Sequence, residues 1–341
     1  MRLTGRRLLI SAVFVISVVA FLYFVLPKIL GLKDTWSRIQ HGNGWWLAAA
    51  AALEGLSFLS YIVLFRAVFV RGQSRIDLRA SYQITMAGVA ATRLFASAGA
   101  GGIALTAWAL RRSGMEPRLV ACRIIAFTAL LYGVFMATLV ICGLGLYLGL
   151  FPGQAPFAIT IVPAIFGAVV IAIFLAVSLL PGDFDRLVAR WTHGGRVGRV
   201  ASHLATAPAA AASGIRTAIG LVRSGDWALL GAVGWWGFDI AVLWACFHAF
   251  GGSPPTAVVV MSYFVGMLGN VLPLPGGIGG VDGAMIGAFT AFGVSAPLAV
   301  VAVLAYRAFA FWLPTLPGAV AYLQLRRTVS RWRTEPEPSY T

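Results

Sequence analysis

The sequence predicts an all-α polytopic membrane protein, with about six full transmembrane helices and two re-entrant half-helix hairpins arranged as an inverted repeat. Three observations carry that expectation. Hydrophobic residues make up 60% of the chain and charged residues 11%, with mean hydropathy +0.87, against roughly one-half and one-quarter in a soluble domain. The cations lie in short segments between uncharged apolar runs such as Ile124 to Leu150 and Phe157 to Leu180. Two further apolar stretches are interrupted by glycines and are too short to cross a bilayer twice, since each crossing needs about 20 residues.

The first full span is expected near residues 8–30, behind Arg2, Arg6 and Arg7. Its apolar core exceeds the roughly 7 to 15 residues of a secretory signal, and no clear small-x-small site follows, so it reads as an uncleaved anchor. The second span, 46–65, carries Glu54 near its middle. After it comes a cluster of Arg66, Arg71, Arg75 and Arg79, and a second cluster of Arg111, Arg112 and Arg118. Between these clusters the apolar segment 82–110 breaks at GAGG, Gly99 to Gly102. Both clusters belong on the cytoplasmic side by the positive-inside rule, so the segment reads as a hairpin dipping in from the cytoplasm.

Spans 119–149 and 157–180 follow, joined by the uncharged Phe151 to Pro156. Segment 183–225 mixes arginines with Leu, Val, Trp191 and alanines, and is expected to be an amphipathic cytoplasmic segment. Span 227–250 carries Asp239. Segment 257–292 lies between the uncharged Gly251 to Pro255 and Gly293 to Pro297 and breaks at PLPGGIGG. It is read as a second hairpin, dipping in from outside. Span 298–323 carries Arg307 and completes a single membrane domain, 1–325, before a basic and then disordered tail, 326–341. Both termini are expected in the cytoplasm and the chain in the plasma membrane.

The hairpins resemble each other. GAGG is followed by a short apolar half-helix, GMEP and a span with Arg123; GIGG, Gly277 to Gly280, is followed by a short half-helix, GVSAP and a span with Arg307. Span–hairpin–span repeated in opposite orientation is the plan of many transporters, and broken backbone at membrane depth is tolerated where it lines a cavity.

At a rise of about 1.5 Å per residue, Arg93, Asp282, Glu54, Asp239 and Arg307 all fall near the midplane. A charge there costs at least about 2.5 to 3.5 kcal/mol on insertion scales, so each needs a partner or a wet cavity. Structural pairing, for instance of Arg307 with Asp282, is one reading, and Asp282 is placed to cap a half-helix. For Arg93 and Arg307 a binding role is favoured, because guanidinium forks suit phosphate. Half-helix starts at Gly102 and Gly280 would add N–H groups and positive dipole ends. The expected substrate site is therefore Arg93, Gly99, Gly101, Gly102, Pro275, Gly276, Gly277, Gly279, Asp282 and Arg307, with Glu54 and Asp239 as coupling or ion-pair residues.

The formal charge of +15 reports topology, with anionic lipid headgroups rather than nucleic acid as partner. Gly99 to Ala104 fits GxGxxA but follows no strand, which argues against a dinucleotide site. His41, His193, His203 and His248, and Cys122, Cys142 and Cys246, show no ligand spacing, so neither metal nor cofactor is expected.

The block PLPGGIGGVDGAMIGAFTAFGV with AYRAFAFWLPTLPG, Pro273 to Gly318, resembles the C-terminal signature of the lysylphosphatidylglycerol synthase transmembrane family. Pro275, Gly276, Gly277 and Asp282 match its Pro-Gly-Gly turn and acidic residue; Arg307, Pro317 and Gly318 match its later span. The first hairpin departs from the pattern, with Thr92, Ala96 and Gly102-Ile103 where relatives often have Asn, Pro and Gly-Glu. The resemblance implies a stand-alone flippase-like domain, without the aminoacyl-transferase domain of the synthases, that translocates a lipid headgroup between leaflets. Its expected partners are membrane lipids of the anionic phospholipid or polyprenyl-phosphate type, and among proteins a second copy of the chain or a lipid-synthesising enzyme. An ion-coupled carrier of a soluble solute, using Glu54 and Asp239 as proton sites, is the alternative. A membrane-embedded lipid-modifying enzyme is disfavoured, since no paired-carboxylate motif such as DDxxD is present.

Overall fold

The computed structural model describes residues 42–70, 75–94, 100–179, 196–271 and 277–334. The expected span 8–30, the residues Gly99, Pro275 and Gly276, the stretch 180–195 and the tail beyond Thr334 lie outside them. The described residues are helical throughout, without strands: α1 (Gly44–Phe69), α2 (Leu78–Leu94), α3 (Ala100–Arg112), α4 (Pro117–Tyr147), α5 (Phe157–Ser178), α6 (Arg196–Arg223), α7 (Gly231–Ala249), α8 (Thr256–Met267), α9 (Gly280–Ala291), α10 (Ala296–Arg307) and α11 (Leu313–Thr334). A 3₁₀ turn, Trp227–Leu230, leads into α7; another, Leu268–Val271, ends α8; and a π-helical segment, Ala308–Trp312, joins α10 to α11.

Among the described residues five helices are long and apolar enough to span a membrane: Gly44–Phe69, Pro117–Tyr147, Phe157–Ser178, Trp227–Ala249 and Ala296–Trp332. They coincide with five of the spans read from sequence. Exposed large side chains such as Ile141, Leu148, Phe166 and Ile173 stud their outer faces, as expected where the surrounding solvent is hydrocarbon.

The charges separate the two ends of the bundle. At one end Arg66 reaches Ser81, Arg123 donates to the carbonyl of Phe69 at 2.6 Å, and Arg216 lies against the end of α5 at Ser178. At the other, Asn43 donates to the carbonyl of Ala249 at 2.9 Å, Gly252 meets Leu298 and Gly293 meets Gln154. The connections gathered there, residues 148–156, 250–255 and 292–295, carry no Asp, Glu, Lys or Arg.

Helices α1 and α7 pack antiparallel, Asn43 beside Ala249 and Ser57 donating to the carbonyl of Trp235. Each is followed by a hairpin. In α2/α3, Gly88 faces Gly102 and Thr106; in α8/α9, Gly266 faces Met285 and Gly269 faces Gly280. The glycines set these spacings: a Cβ on Gly102 would lie 2.6 Å from the carbonyl oxygen of Gly88, and one on Gly269 would lie 2.6 Å from that of Gly280. Close approach of backbones at small residues is how helices pack tightly where the hydrophobic effect does not drive them together. The α2/α3 hairpin begins and ends at the arginine-rich end, and α8/α9 at the uncharged end. Arms of 17, 13, 12 and 12 residues rise only about 18 to 26 Å, and Arg93, Gly102, Asn270 and Gly277 near their inner ends line one cavity within the bundle. The order helix, hairpin, helix thus occurs twice with opposite sense, as α1, α2/α3, α4 and as α7, α8/α9, α10.

Helix α11 closes the first hairpin. Gly318 lies against α2, where a Cβ would meet the carbonyl oxygen of Met86 at 2.8 Å, and Thr328 donates to Gln83 at 2.8 Å. The second part of the amphipathic segment is helix α6, which packs on α4, with Cys122 beside Thr217 and Gly214 against Ile125.

Candidate functional site

The ends of the hairpin arms and the helices around them line an open cavity of about 350 Å³. Its walls run from Phe69 and Ile124, near the arginine-rich end, to Thr92 and Arg93 on the first hairpin and Asn270 and Gly277 on the second. Arg93, Gly102, Gly277, Asp239 and Arg307, five residues expected from the sequence, line it together.

Arg93 sits one residue from the end of α2 and reaches across to the π-helical segment. Its Nη2 donates to the carbonyl of Ala310 at 2.6 Å and its Nη1 to that of Phe311 at 2.9 Å. Pro314 explains why the first of these acceptors is available, while the carbonyl of Phe311 also accepts the hydroxyl of Thr315. Having no N–H, Pro314 cannot make the bond an α-helix would give to the carbonyl four residues earlier, that of Ala310. The N–H of Leu313 bonds Ala308 instead, five residues back, which widens the turn.

Arg307 approaches from the other repeat. Its Nε lies 2.7 Å from Oδ1 of Asp282, and both groups are buried, at 9% and 3% exposure. Both guanidiniums stand over one ring: that of Phe311 lies 5.4 Å from Arg93 and 4.7 Å from Arg307. Such cation–π contact holds the two cations in place without neutralising either.

Asp282 works in two directions. While Oδ1 meets Arg307, Oδ2 accepts the N–H of Gly279 at 2.8 Å and so caps the start of α9. Gly279 has φ +84°, a left-handed conformation that glycine adopts without strain. Its N–H is committed to Asp282 and its Cα faces open space. Gly101 lies in the first turn of α3, behind the cavity wall formed by Gly102 and Ile103.

Glu54, one turn before Ser57, and Asp239, one turn after Trp235, lie buried at the same level where α1 packs on α7. Asp239 Oδ2 accepts the hydroxyl of Tyr306 at 2.9 Å and that of Tyr263. The two tyrosines are fully buried. Sequence reasoning missed them, together with Thr92, Thr106 and Asn270 on the cavity wall and the latch at Ala310 and Phe311. Pro314, two turns after Arg307, was the signal that a carbonyl would be left free.

Fold and site define a polytopic all-helical membrane protein with a mainly apolar cavity, carrying a few charged and polar groups, between the helix pairs α2/α3 and α8/α9. The family model described as the lysylphosphatidylglycerol synthase TM region matches residues 8–318. The chain belongs to that family. A UPF0104 membrane protein of Methanothermobacter thermautotrophicus is 36% identical over 91 residues, 26% of each chain. Another match to a protein of that name in the same organism is 33% identical over 115 residues, 32% of this chain and 34% of the relative. A UPF0104 membrane protein of Methanocaldococcus jannaschii is 32% identical over 95 residues, 28% of each. The matched stretches thus span about a quarter to a third of these relatives.

Proposed function

We infer that the protein translocates lipids, carrying an anionic, phosphate-bearing headgroup between leaflets through the cavity between the hairpins. The observation that supports this most is the pair of arginines, one from each repeat, standing over the single ring of Phe311 at the end of that cavity. Arg93 donates there to neutral carbonyls, so its charge remains available to an anion, and a guanidinium fork matches phosphate oxygens in pairs. On this reading the hairpins are re-entrant in the bilayer, the arginine-rich end is cytoplasmic with both termini, and the cavity wall on that side faces the inner leaflet.

Function does not require a covalent step. The acyl chains stay in hydrocarbon while the headgroup crosses in a cavity where Arg93 and Arg307 face its charge, which lowers the cost of placing that charge at the bilayer centre. The test is reconstitution of the purified protein into vesicles with a trace of fluorescent phosphatidylglycerol, followed by dithionite quenching of the outer leaflet. We expect the protected fraction to fall well below the half retained by empty vesicles. A fraction equal to that of empty vesicles, across phosphatidylglycerol and a polyprenyl phosphate probe, would overturn the reading.

A further inference from the structure

Binding an anionic headgroup uses the arginines and leaves the buried acids behind them unexplained. Glu54 is 4% exposed and Asp239 8%. Two carboxyls buried at one level between packed helices do not both ionise readily, because each charge raises the cost of the other. The pair is therefore suited to hold one proton. Its place follows from the neighbours. Asp239 Oδ2 already accepts two tyrosine hydroxyls, from Tyr263 on α8 and Tyr306 on α10. Among the described residues Glu54 receives no such donors, and its Oε2 is buried without a hydrogen-bond partner. The proton thus belongs on Glu54.

The groups facing this pair from every packed element are few. Among the described residues the cations are Arg93 from α2, whose guanidinium lies 5.8 Å from the ring of Phe58 one turn past Glu54, and Arg307 from α10, on the same cavity wall as Asp239; Tyr263 and Tyr306 present hydroxyls and Cys246 a thiol. Arg93 lines the cavity with Asp239, yet its hydrogen bonds go to the carbonyls of Ala310 and Phe311.

We propose that Glu54 and Asp239 form a proton-binding site whose occupancy sets the position of Arg93, so that a proton and the anionic headgroup bind together. With the proton present the pair carries one negative charge, and Arg93 remains at the cavity end. Loss of the proton breaks the Glu54 O–H, leaves its electron pair on the carboxylate, and passes H⁺ to the cavity, which Asp239 lines. A second negative charge then stands in a low-dielectric interior beside the guanidinium. Arg93 is drawn off its two neutral carbonyls and towards the acids, taking the end of α2 with it. An anion that needs Arg93 at the cavity end and a proton that keeps it there favour each other's binding, and that linkage is reciprocal. The coupling half rests on the translocase reading; the proton site does not.

Infrared difference spectroscopy of the protein in lipid nanodiscs tests the site directly. We expect a protonated-carboxyl stretch near neutral pH that shifts when glutamates are labelled with ¹³C, disappears in Glu54→Gln and moves in Asp239→Asn. The labelling needs no variant to fold. A spectrum with no such glutamate band, or a band abolished when choline is replaced by sodium, would overturn the site. In the dithionite assay the wild-type rate should depend on pH, and Glu54→Gln should abolish that dependence. Translocation indifferent to pH in the wild type would overturn the coupling. Vesicles with the band but no translocation would overturn the translocase reading and the coupling with it, and leave the proton site standing.

Discussion

Arg93 donates to the carbonyl of Ala310 at 2.6 Å, joining the first hairpin to a helix 217 residues further along the chain. The acceptor is free because Pro314 supplies no N–H to it. The contact is therefore a latch between the first hairpin and the second repeat, made by one residue and permitted by another. Lysine at position 93 keeps the charge but cannot reach two carbonyls as a fork. Arg93→Lys should lower the translocation rate roughly tenfold, the scale of a lost charge-assisted hydrogen bond of about 1.5 kcal/mol. Pro314→Ala, which restores a donor for Ala310, should lower it similarly without lowering the melting temperature. A Pro314→Ala protein with unaltered rate would show that the latch has no part in transport.

The glycines separate into two kinds. A Cβ on Gly102 would meet the carbonyl oxygen of Gly88 at 2.6 Å, whereas one on Gly287 meets nothing within 4 Å. Gly102→Ala should destabilise the protein by about 1 to 3 kcal/mol, the range for overpacking a close contact. Gly287→Ala should be neutral, or stabilise by up to about 1 kcal/mol, since alanine loses less backbone entropy in a helix. Thermal melts of the two variants in one detergent measure the difference, and equal melting temperatures would contradict the packing argument.

Much of this was legible in the sequence because membrane chemistry leaves few options. Long uncharged runs gave the five spans among the described residues, and two glycine-interrupted apolar stretches gave the short helix pairs α2/α3 and α8/α9. Depth placed Arg307 and Asp282 at one level and made their pairing one reading beside a binding role for Arg307; the structure shows the pair. What could not be read was how the remaining charges were satisfied. Arg93 pairs with backbone carbonyls, and periodicity does not report a free carbonyl unless a proline is traced four residues back. Asp239 is held by Tyr263 and Tyr306, residues from two other helices, and only the tertiary packing of those helices brings the hydroxyls together. Gly279 looked like an exposed donor, but its N–H is occupied by Asp282.

The bundle separates charged from uncharged connections, so its orientation can be read with single cysteines. In a background lacking Cys122, Cys142 and Cys246, cysteines at Leu78 and Glu116, which flank the first hairpin and are exposed, should both react with an impermeant maleimide only after the cytoplasmic face is opened. A cysteine at Ser253, exposed in an uncharged connection, should react in intact cells. Labelling of positions 78 and 116 from opposite sides would mean that the segment between them crosses the membrane an odd number of times.

The pair of Arg307 and Asp282 gives the sharpest energetic test, because Asp282 has two jobs that substitutions can separate. Asparagine keeps an oxygen able to accept the Gly279 N–H but removes the charge facing Arg307, whereas alanine removes both. Breaking a buried ion pair from one side typically costs about 3 to 5 kcal/mol, since the remaining charge is left uncompensated. Asp282→Asn and Arg307→Gln should each cost on that order, measured by tryptophan fluorescence during thermal unfolding. The double variant should be less destabilised than the sum, because no orphaned charge remains. Asp282→Ala should cost about 1 kcal/mol more than Asp282→Asn, the worth of a lost helix cap. Strict additivity in the double variant would mean that the two residues act independently despite the 2.7 Å between Nε and Oδ1, with the cap then the main contribution of Asp282.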